Sequence, residues 1–319
     1  MKAERIDCIL PRLEDLLREC CLCGQRCAVN RLENAVGFCR ATSVDRYHAR
    51  CSSFTLHFGE EPMLVGRGGS GTVFFTHCNL RCVFCQNFQI SQLGLGDDVH
   101  YTDLAGIFVG LQEDGAENIN LVTPTHYIYP VLLGLRDAYR NGLDIPLVYN
   151  TNGYDSVELL SLLEGIVDIY LPDMKYMDAA LARKYSAAKG YPEVAQNAIK
   201  EMYRQVGPVE ETRGVAKSGV IIRHLILPEN IAGSYEFLLW LKSEGMLDVT
   251  IGLMSQYSPR HRAHEFPELR SRISQKEYRA IVRYALDLGF EHVLTQGIES
   301  TDLYLPDFEK DEPFSDRLD

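Results

Sequence analysis

From residue 70 onward the chain alternates short apolar, β-branched runs with stretches whose apolar residues recur every three or four positions. The runs GTVFFTH (71–77), NINLVTPT (118–125), PLVYNTN (146–152), VDIYLPDMK (167–175), VIIRHLILP (220–228), VTIGLMSQY (249–257) and HVLTQG (292–297) read as strands. Segments between them, such as SVELLSLLEG (156–165) and SQKEYRAIVRYALDLG (274–289), have helical periodicity. Near-continuous apolar strands separated by helices predict an α/β fold with a parallel sheet covered by helices. Six or seven such units suit a partial or complete (β/α) barrel of six to seven parallel strands, and a doubly wound open sheet is the competing layout. Residues 1–69 lack this alternation. They read as an irregular, Cys-rich N-terminal segment with an amphipathic helix over 7–19 and the Gly-rich VGRGGSG at 65–71. The expected organisation is therefore 1–69, a barrel over 70–300, and a solvated acidic tail over 301–319.

Barrel enzymes place their chemistry on the rim where strands end. Here the first barrel strand runs into Cys78, Cys82 and Cys85, and the second ends in Thr123, Pro124, Thr125 and His126. The third ends in Asn150, Thr151, Asn152 and Gly153, and the fourth in Pro172, Asp173, Met174 and Lys175. Gln256 and Tyr257 close the sixth strand, and Gln296 the seventh. For Thr125, Asn152 or Asp155 alone a turn or helix cap is the favoured reading. Their shared rim is what singles the group out.

Composition narrows the class. The 319 residues, 46% of them hydrophobic, can bury a substantial core. No run of about 18 apolar residues occurs, and MKAERIDCILPRLEDLLREC carries charges through what would be a signal peptide's core, so a cytoplasmic protein with no membrane partner is expected. A net charge of -12 without a basic cluster argues against nucleic acid. Ten cysteines in such a chain point to metal or cluster ligands rather than disulfides. Cys8 and Cys51 stand apart and read as small buried hydrophobes.

The stretch THCNLRCVFCQN (76–87) spaces Cys78, Cys82 and Cys85 as C-x3-C-x2-C. Zinc would need a fourth ligand, for which His77 and His126 are candidates. The compact loop better fits a cube of four irons in which three take one thiolate each and the fourth stays open. With Phe84 just before the third cysteine, this motif resembles the hallmark of the radical S-adenosylmethionine (SAM) superfamily. The resemblance implies a [4Fe-4S] cluster whose open iron chelates SAM, and an electron from a donor such as flavodoxin or ferredoxin. It also implies anaerobic, oxidoreductase-type chemistry through a 5′-deoxyadenosyl radical that takes a hydrogen atom from the substrate.

TNG (151–153), DMK (173–175) and IIRHLILP (221–228) are similar to strand ends of pyruvate formate-lyase activating enzymes. That similarity implies SAM contacts for Asp173, Lys175 and Arg223, with Lys175 facing the methionine carboxylate. Phe84, Thr123, Thr125, Asn150, Thr151 and Asn152 complete the expected cofactor side. A salt bridge within the barrel is the alternative for Asp173 with Lys175. The chain departs from that family at three places: NLVTPTHY replaces Gly-Gly-Glu, Asn150 replaces an aspartate of a cation site, and MSQYSP lacks a histidine. CCLCGQRCAVNR (20–31), GEEP (59–62), LVTPTH (121–126), QYSP, LTQG and LPDF instead resemble a subgroup of activating-enzyme-like radical SAM proteins along nearly the whole chain.

Cys20, Cys23, Cys27 and Cys39, with Cys21 as a spare, supply four thiols that could close a zinc site or a second [4Fe-4S] cluster, or simply stay reduced. The expected function is a radical SAM enzyme, with activation of a glycyl radical enzyme or another polypeptide modification as its finer form. An iron-sulfur electron carrier and a zinc-stabilised interaction protein are the alternatives; the electron carrier has no use for a barrel rim of polar strand ends, and metal analysis after anaerobic purification separates the zinc protein.

Overall fold

A computed structural model describes residues 1–41, 43–297, 306–310, 313 and 314. Its strands are β1 (His48–His57), β2 (Ser70–Phe75), β3 (Asp97–His100), β4 (Ile119–Val122), β5 (Leu147–Thr151), β6 (Ile169–Pro172), β7 (Glu210–Thr212), β8 (Val215–Leu225), β9 (Thr250–Met254) and β10 (Val293–Thr295). All seven expected barrel strands form, as β2, β4, β5, β6, β8, β9 and β10. Each pairs in parallel with the next. The parallel order follows chain order without reversal. A doubly wound sheet would reverse at a switch point, so that layout is set aside. The sheet does not close either, since β10 and β3 are its edges, and the fold is a partial (β/α) barrel.

Strand parity assigns the two faces. Val73, Phe75, Leu121, Leu147, Tyr149, Tyr170, Val220 and Ile222 join the main core beneath the helices. Their alternates Val148, Ile169, Leu171 and Ile221 form a separate cluster with Leu64, and Phe74 belongs to a third with Val122 packed against it. A period of two puts this second set on the concave face. Asn150, Asp173 and Arg223 continue its parity, so the inner wall turns from apolar to polar toward the strand ends. Leu64 and Met63 reach it from the short helix Pro62–Val65, which packs on β8.

The helices follow local rules. Gln275–Leu288 starts on a capping box between Ser274 and Glu277 and stops at Gly289, whose φ of 99° suits a left-handed cap. The N-terminal helix runs Lys2–Arg18, five residues earlier than the expected start, and leaves Cys8 exposed, so the expectation of a buried Cys8 is corrected, while Cys51 is buried. Residues 1–69 are also less irregular than expected. β1 pairs antiparallel with β2 and β3, extending the sheet past its parallel part. Its alternation is masked because its residues are mostly half-buried. Part of the expected acidic tail, 301–305, 311, 312 and 315–319, lies outside the described residues. The described part is packed rather than solvated: Phe308 and Phe314 meet Phe74 at ring distances of 5.5 and 5.3 Å.

Candidate active site at the strand ends

The loop after β2 begins with His77 in a left-handed conformation (φ 64°), and Thr123, just after β4, shares it (φ 55°). Non-glycine residues adopt it at a cost of order 1–3 kcal/mol, which the surroundings must offset. Here the cysteine loop is pinned to the end of the helix Ala179–Ser186, where Arg81 N and Val83 N donate to the carbonyls of Ser186 and Tyr185 at 2.9 and 2.8 Å. Those carbonyls belong to a last turn that otherwise lacks partners.

Each sulfur of the loop has a hydrogen-bonding partner. Ser186 Oγ donates to Cys82 Sγ at 3.0 Å, Asn152 Nδ2 to Cys78 Sγ at 3.4 Å, and Leu80 N to Cys78 Sγ at 3.4 Å, while Ser91 Oγ lies 3.2 Å from Cys85 Sγ. Burial pushes the Cys78 thiol up to about 12 and the Cys85 thiol up to about 11, and raises that of Cys82. Thiolates here therefore need nearby positive charge, and the donors already point at the atoms that would carry the negative charge. Lys175 lies within electrostatic reach of all three sulfurs. A thiolate-bound iron cluster fits this arrangement.

The structure joins Asp173, Lys175 and Arg223 in one network. Lys175 Nζ donates to Asp173 Oδ2 at 2.7 Å, and Arg223 Nε to Asp173 Oδ1 at 3.0 Å. Arg223 also donates to Asn150 Oδ1 at 2.5 Å and lies 3.4 Å from Glu60 Oε2. Burial by itself would raise the Asp173 carboxyl, but the two cations outweigh it and hold the carboxyl below its usual range. Gly153 lets the TNG turn approach this network. At φ 76° it is left-handed, and a Cβ there would sit 2.3 Å from the Asp173 carbonyl oxygen.

Other expected residues are placed differently. Thr125 and Thr151 both donate to the buried Asp155, Thr125 at 2.6 Å, and Tyr149 Oη donates to it at 3.2 Å. Their hydroxyls are thus committed away from the cysteines. Asp155 itself is neither rim ligand nor helix cap, since Ser156 caps Val157–Leu163. Phe84 is buried edge-on against Tyr257. Asn152 fulfils its turn role, accepting from Tyr154 N at 3.1 Å, while its amide also reaches Cys78. His126 bonds to the Thr76 carbonyl at 2.7 Å. Neither it nor His77 completes a site, because among the described residues no three His, Cys, Asp or Glu side chains are arranged to hold one metal ion. A cube, by contrast, takes each thiolate on a different iron.

Burial raises the Asp155 carboxyl, against the pull of the three hydroxyls. Asp155→Ala is expected to cost on the order of 3 kcal/mol by stranding these donors, and Asp155→Asn less. Because the folded value is raised, this group's contribution is complete below the ordinary carboxylate value and falls as pH rises through the folded one. Urea melts across that window should show wild type losing ground relative to Asp155→Asn as pH rises.

Several residues of the site carry no local motif. Tyr191 Oη lies 2.7 Å from the Asn152 carbonyl and 2.9 Å from that of Asp173, and accepts Lys175 N–H at 3.0 Å, so it ties two strand ends together. Ser186 is similarly silent in sequence. GEEP did carry a signal: it sends Glu60 and Glu61 to the inner wall, where burial pushes the Glu61 carboxyl up to about 7 against the pull of Arg223. Among the described residues its Oε2 is buried without a partner, as are both side-chain polar atoms of Asn120 and the Oε1 of Gln296.

Among the described residues no helix is long and apolar enough to cross a membrane. The protein MJ0674 of Methanocaldococcus jannaschii is 31% identical over 304 residues, which cover 91% of this chain and 82% of that protein. Among solved structures, Streptococcus suis SuiB bound to S-adenosylmethionine is 14% identical with a TM-score of 0.49, over 70% of this chain and 50% of that one. Methylornithine synthase (PylB) is 14% identical with a TM-score of 0.45, over 75% of this chain and 73% of that one. The chain thus spans half the length of SuiB. The family model of the radical SAM superfamily matches residues 72–241, the stretch that holds the cysteine loop, the polar strand ends and Arg223, and the chain belongs to that superfamily.

Proposed function

We propose that this protein cleaves SAM reductively at a [4Fe-4S] cluster held by Cys78, Cys82 and Cys85, and uses the resulting radical on a polypeptide. The observation that carries it is the convergence of Lys175 on three half-buried thiols that each meet a hydrogen-bonding partner. When bound, the cluster supplies the electron and the open iron. The chain's part is placement. Lys175 presents a cation for the methionine carboxylate, and Asp173 orients it while being held by Arg223. Thr123 and Asn150 lie on the same rim. Glu60 and Glu61, brought from a distant segment, would supply the carboxylate that the segment after β4 lacks.

The polypeptide reading draws on the activating-enzyme-like motifs and on the inner wall, where Phe74 already receives the phenylalanines of residues 308 and 314. An aromatic cluster of this kind suits an apolar side chain on an extended chain. A flavodoxin or ferredoxin would donate the electron, and the N-terminal cysteines would hold a second metal centre. With SAM and dithionite under anaerobic conditions, the reconstituted protein should form 5′-deoxyadenosine. With a glycyl radical enzyme encoded beside it, it should generate a glycyl radical signal in electron paramagnetic resonance (EPR). Nucleoside formation without that signal would remove the activase role and leave SAM cleavage standing.

Lys175→Ala should weaken SAM binding by roughly 1.5–3 kcal/mol, the worth of a charge-assisted hydrogen bond, with iron content unchanged. Equilibrium binding and iron analysis of the same sample check this. Loss of iron with normal affinity would make Lys175 structural.

A further inference from the structure

The N-terminal thiols share the construction of the cysteine loop. Cys20, Cys23 and Cys39 are buried, Cys27 is half-buried, and all four are free thiols. They converge: Cys20 is within electrostatic reach of Cys27 and Cys39, and Cys23 of Cys20 and Cys39. The loop closes on itself through Cys20 N to the Val29 carbonyl and Ala28 N to the Cys20 carbonyl, both at 3.0 Å. Gly37 folds its strand of the loop onto Cys27 so closely that a Cβ would lie 2.7 Å from the sulfur. Arg26, Ala28 and Arg40 take left-handed φ values of 41°, 53° and 58°. Such a density of strained non-glycine residues persists only where something over-determines the backbone.

Three features separate this group from ordinary reduced thiols. First, the backbone N–H two residues downstream faces the sulfur at Cys20 (from Leu22) and Cys23 (from Gln25), the same pattern seen at Cys78 (from Leu80) and Cys85 (from Asn87). Second, cations face the sulfurs. Arg31 Nη1 donates to Cys39 Sγ at 3.3 Å, and Arg81 lies within electrostatic reach of Cys39 as well as of Cys78 and Cys82. A centre with four thiolates is anionic and matches these guanidinium groups, whereas neutral thiols would leave them uncompensated. Third, the group offers four sulfurs, one for each iron of a saturated cube, where the loop at Cys78, Cys82 and Cys85 offers three.

We propose that Cys20, Cys23, Cys27 and Cys39 hold a second [4Fe-4S] cluster, saturated by four thiolates and therefore unable to bind SAM. Only the assignment of the SAM response to the other cluster rests on the proposed SAM-cleaving function. The two centres adjoin. The Asn79 side chain lies beside Cys23, and its Oδ1 lies 3.7 Å from Cys78 Sγ. Arg81 spans the same gap, donating to the Phe38 carbonyl at 2.6 Å and the Cys78 carbonyl at 3.0 Å.

The test is iron, acid-labile sulfide and zinc per chain after anaerobic reconstitution, in wild type and in a Cys23→Ser, Cys27→Ser double variant. The expected counts are about eight irons in wild type and about four in the variant, with the remaining cluster still responding to SAM. About four irons in both, or a zinc in wild type that the variant loses, overturns the second cluster. So does a variant that loses only its SAM-responsive cluster. Should the variant not fold, wild type alone decides through Mössbauer and EPR spectra. SAM should change the signal of one of two clusters and leave the other as it was, and a change in all of the cluster signal overturns the proposal. About eight irons with no response to SAM would uphold the second cluster and sink the proposed SAM cleavage instead.

Discussion

Cys82→Ala is expected to form no 5′-deoxyadenosine above background when reconstituted anaerobically with SAM and dithionite, and to lose the iron of the SAM-responsive cluster. Cys82 lies at the centre of the loop. It is within electrostatic reach of Cys78, Cys85 and Lys175, and it takes the Ser186 hydroxyl at 3.0 Å. Removing a ligand leaves two thiolates for a cluster that needs three, while removing an outer partner weakens affinity or activity on the order of 10–100-fold. Ser186→Ala should accordingly fall between wild type and Cys82→Ala in nucleoside yield. Its fold should survive, because Tyr176 Oη, 2.8 Å from Ser186 Oγ, loses one neutral hydrogen bond and no packing. Equal yields from Cys82→Ala and wild type would refute the assignment of the catalytic cysteines.

The barrel was legible because its central strands are buried on both faces, which writes each as a continuous apolar run. β1 was hidden by the opposite circumstance. It lies beyond the parallel strands, is largely half-buried, and its HARCSSFTLH composition carries little contrast between faces. β3 and β7 are four and three residues long, too short for any period to show. At the site, motif spacing singled out Cys78, Cys82 and Cys85, and the family resemblance singled out Asp173, Lys175 and Arg223, all at or near the ends of strands that sequence can see. What spacing could not show was the commitment of hydroxyls. Thr125 and Thr151 look like rim ligands, yet both donate inward to Asp155. Partners supplied from afar were equally hidden, because Ser186 comes from a helix end, Tyr191 from the start of the next helix and Glu60 from a loop before β2.

Asp173→Ala should destabilise the protein by on the order of 3–5 kcal/mol, which for a chain of this size lowers the melting temperature by roughly 10 °C. The carboxylate stands between two cations, Lys175 Nζ at 2.7 Å and Arg223 Nε at 3.0 Å. Its removal leaves like charges facing each other on a mostly buried wall, with Glu60 at 3.4 Å from Arg223 as partial compensation. Asp173→Ala with Lys175→Met removes one of those cations and should recover part of the loss while still binding SAM poorly. Stability and cofactor affinity then separate, as they would not if the network were structural alone. Acid should act on the same group. Because the Asp173 carboxyl is held below its ordinary value, its contribution is complete above that value and disappears as pH falls through the lowered one. Wild type should therefore lose its advantage over Asp173→Ala only at the acid end of a pH series of thermal melts. An advantage that instead fades toward alkaline pH would mean that Asp173 is not the ionised centre of the network.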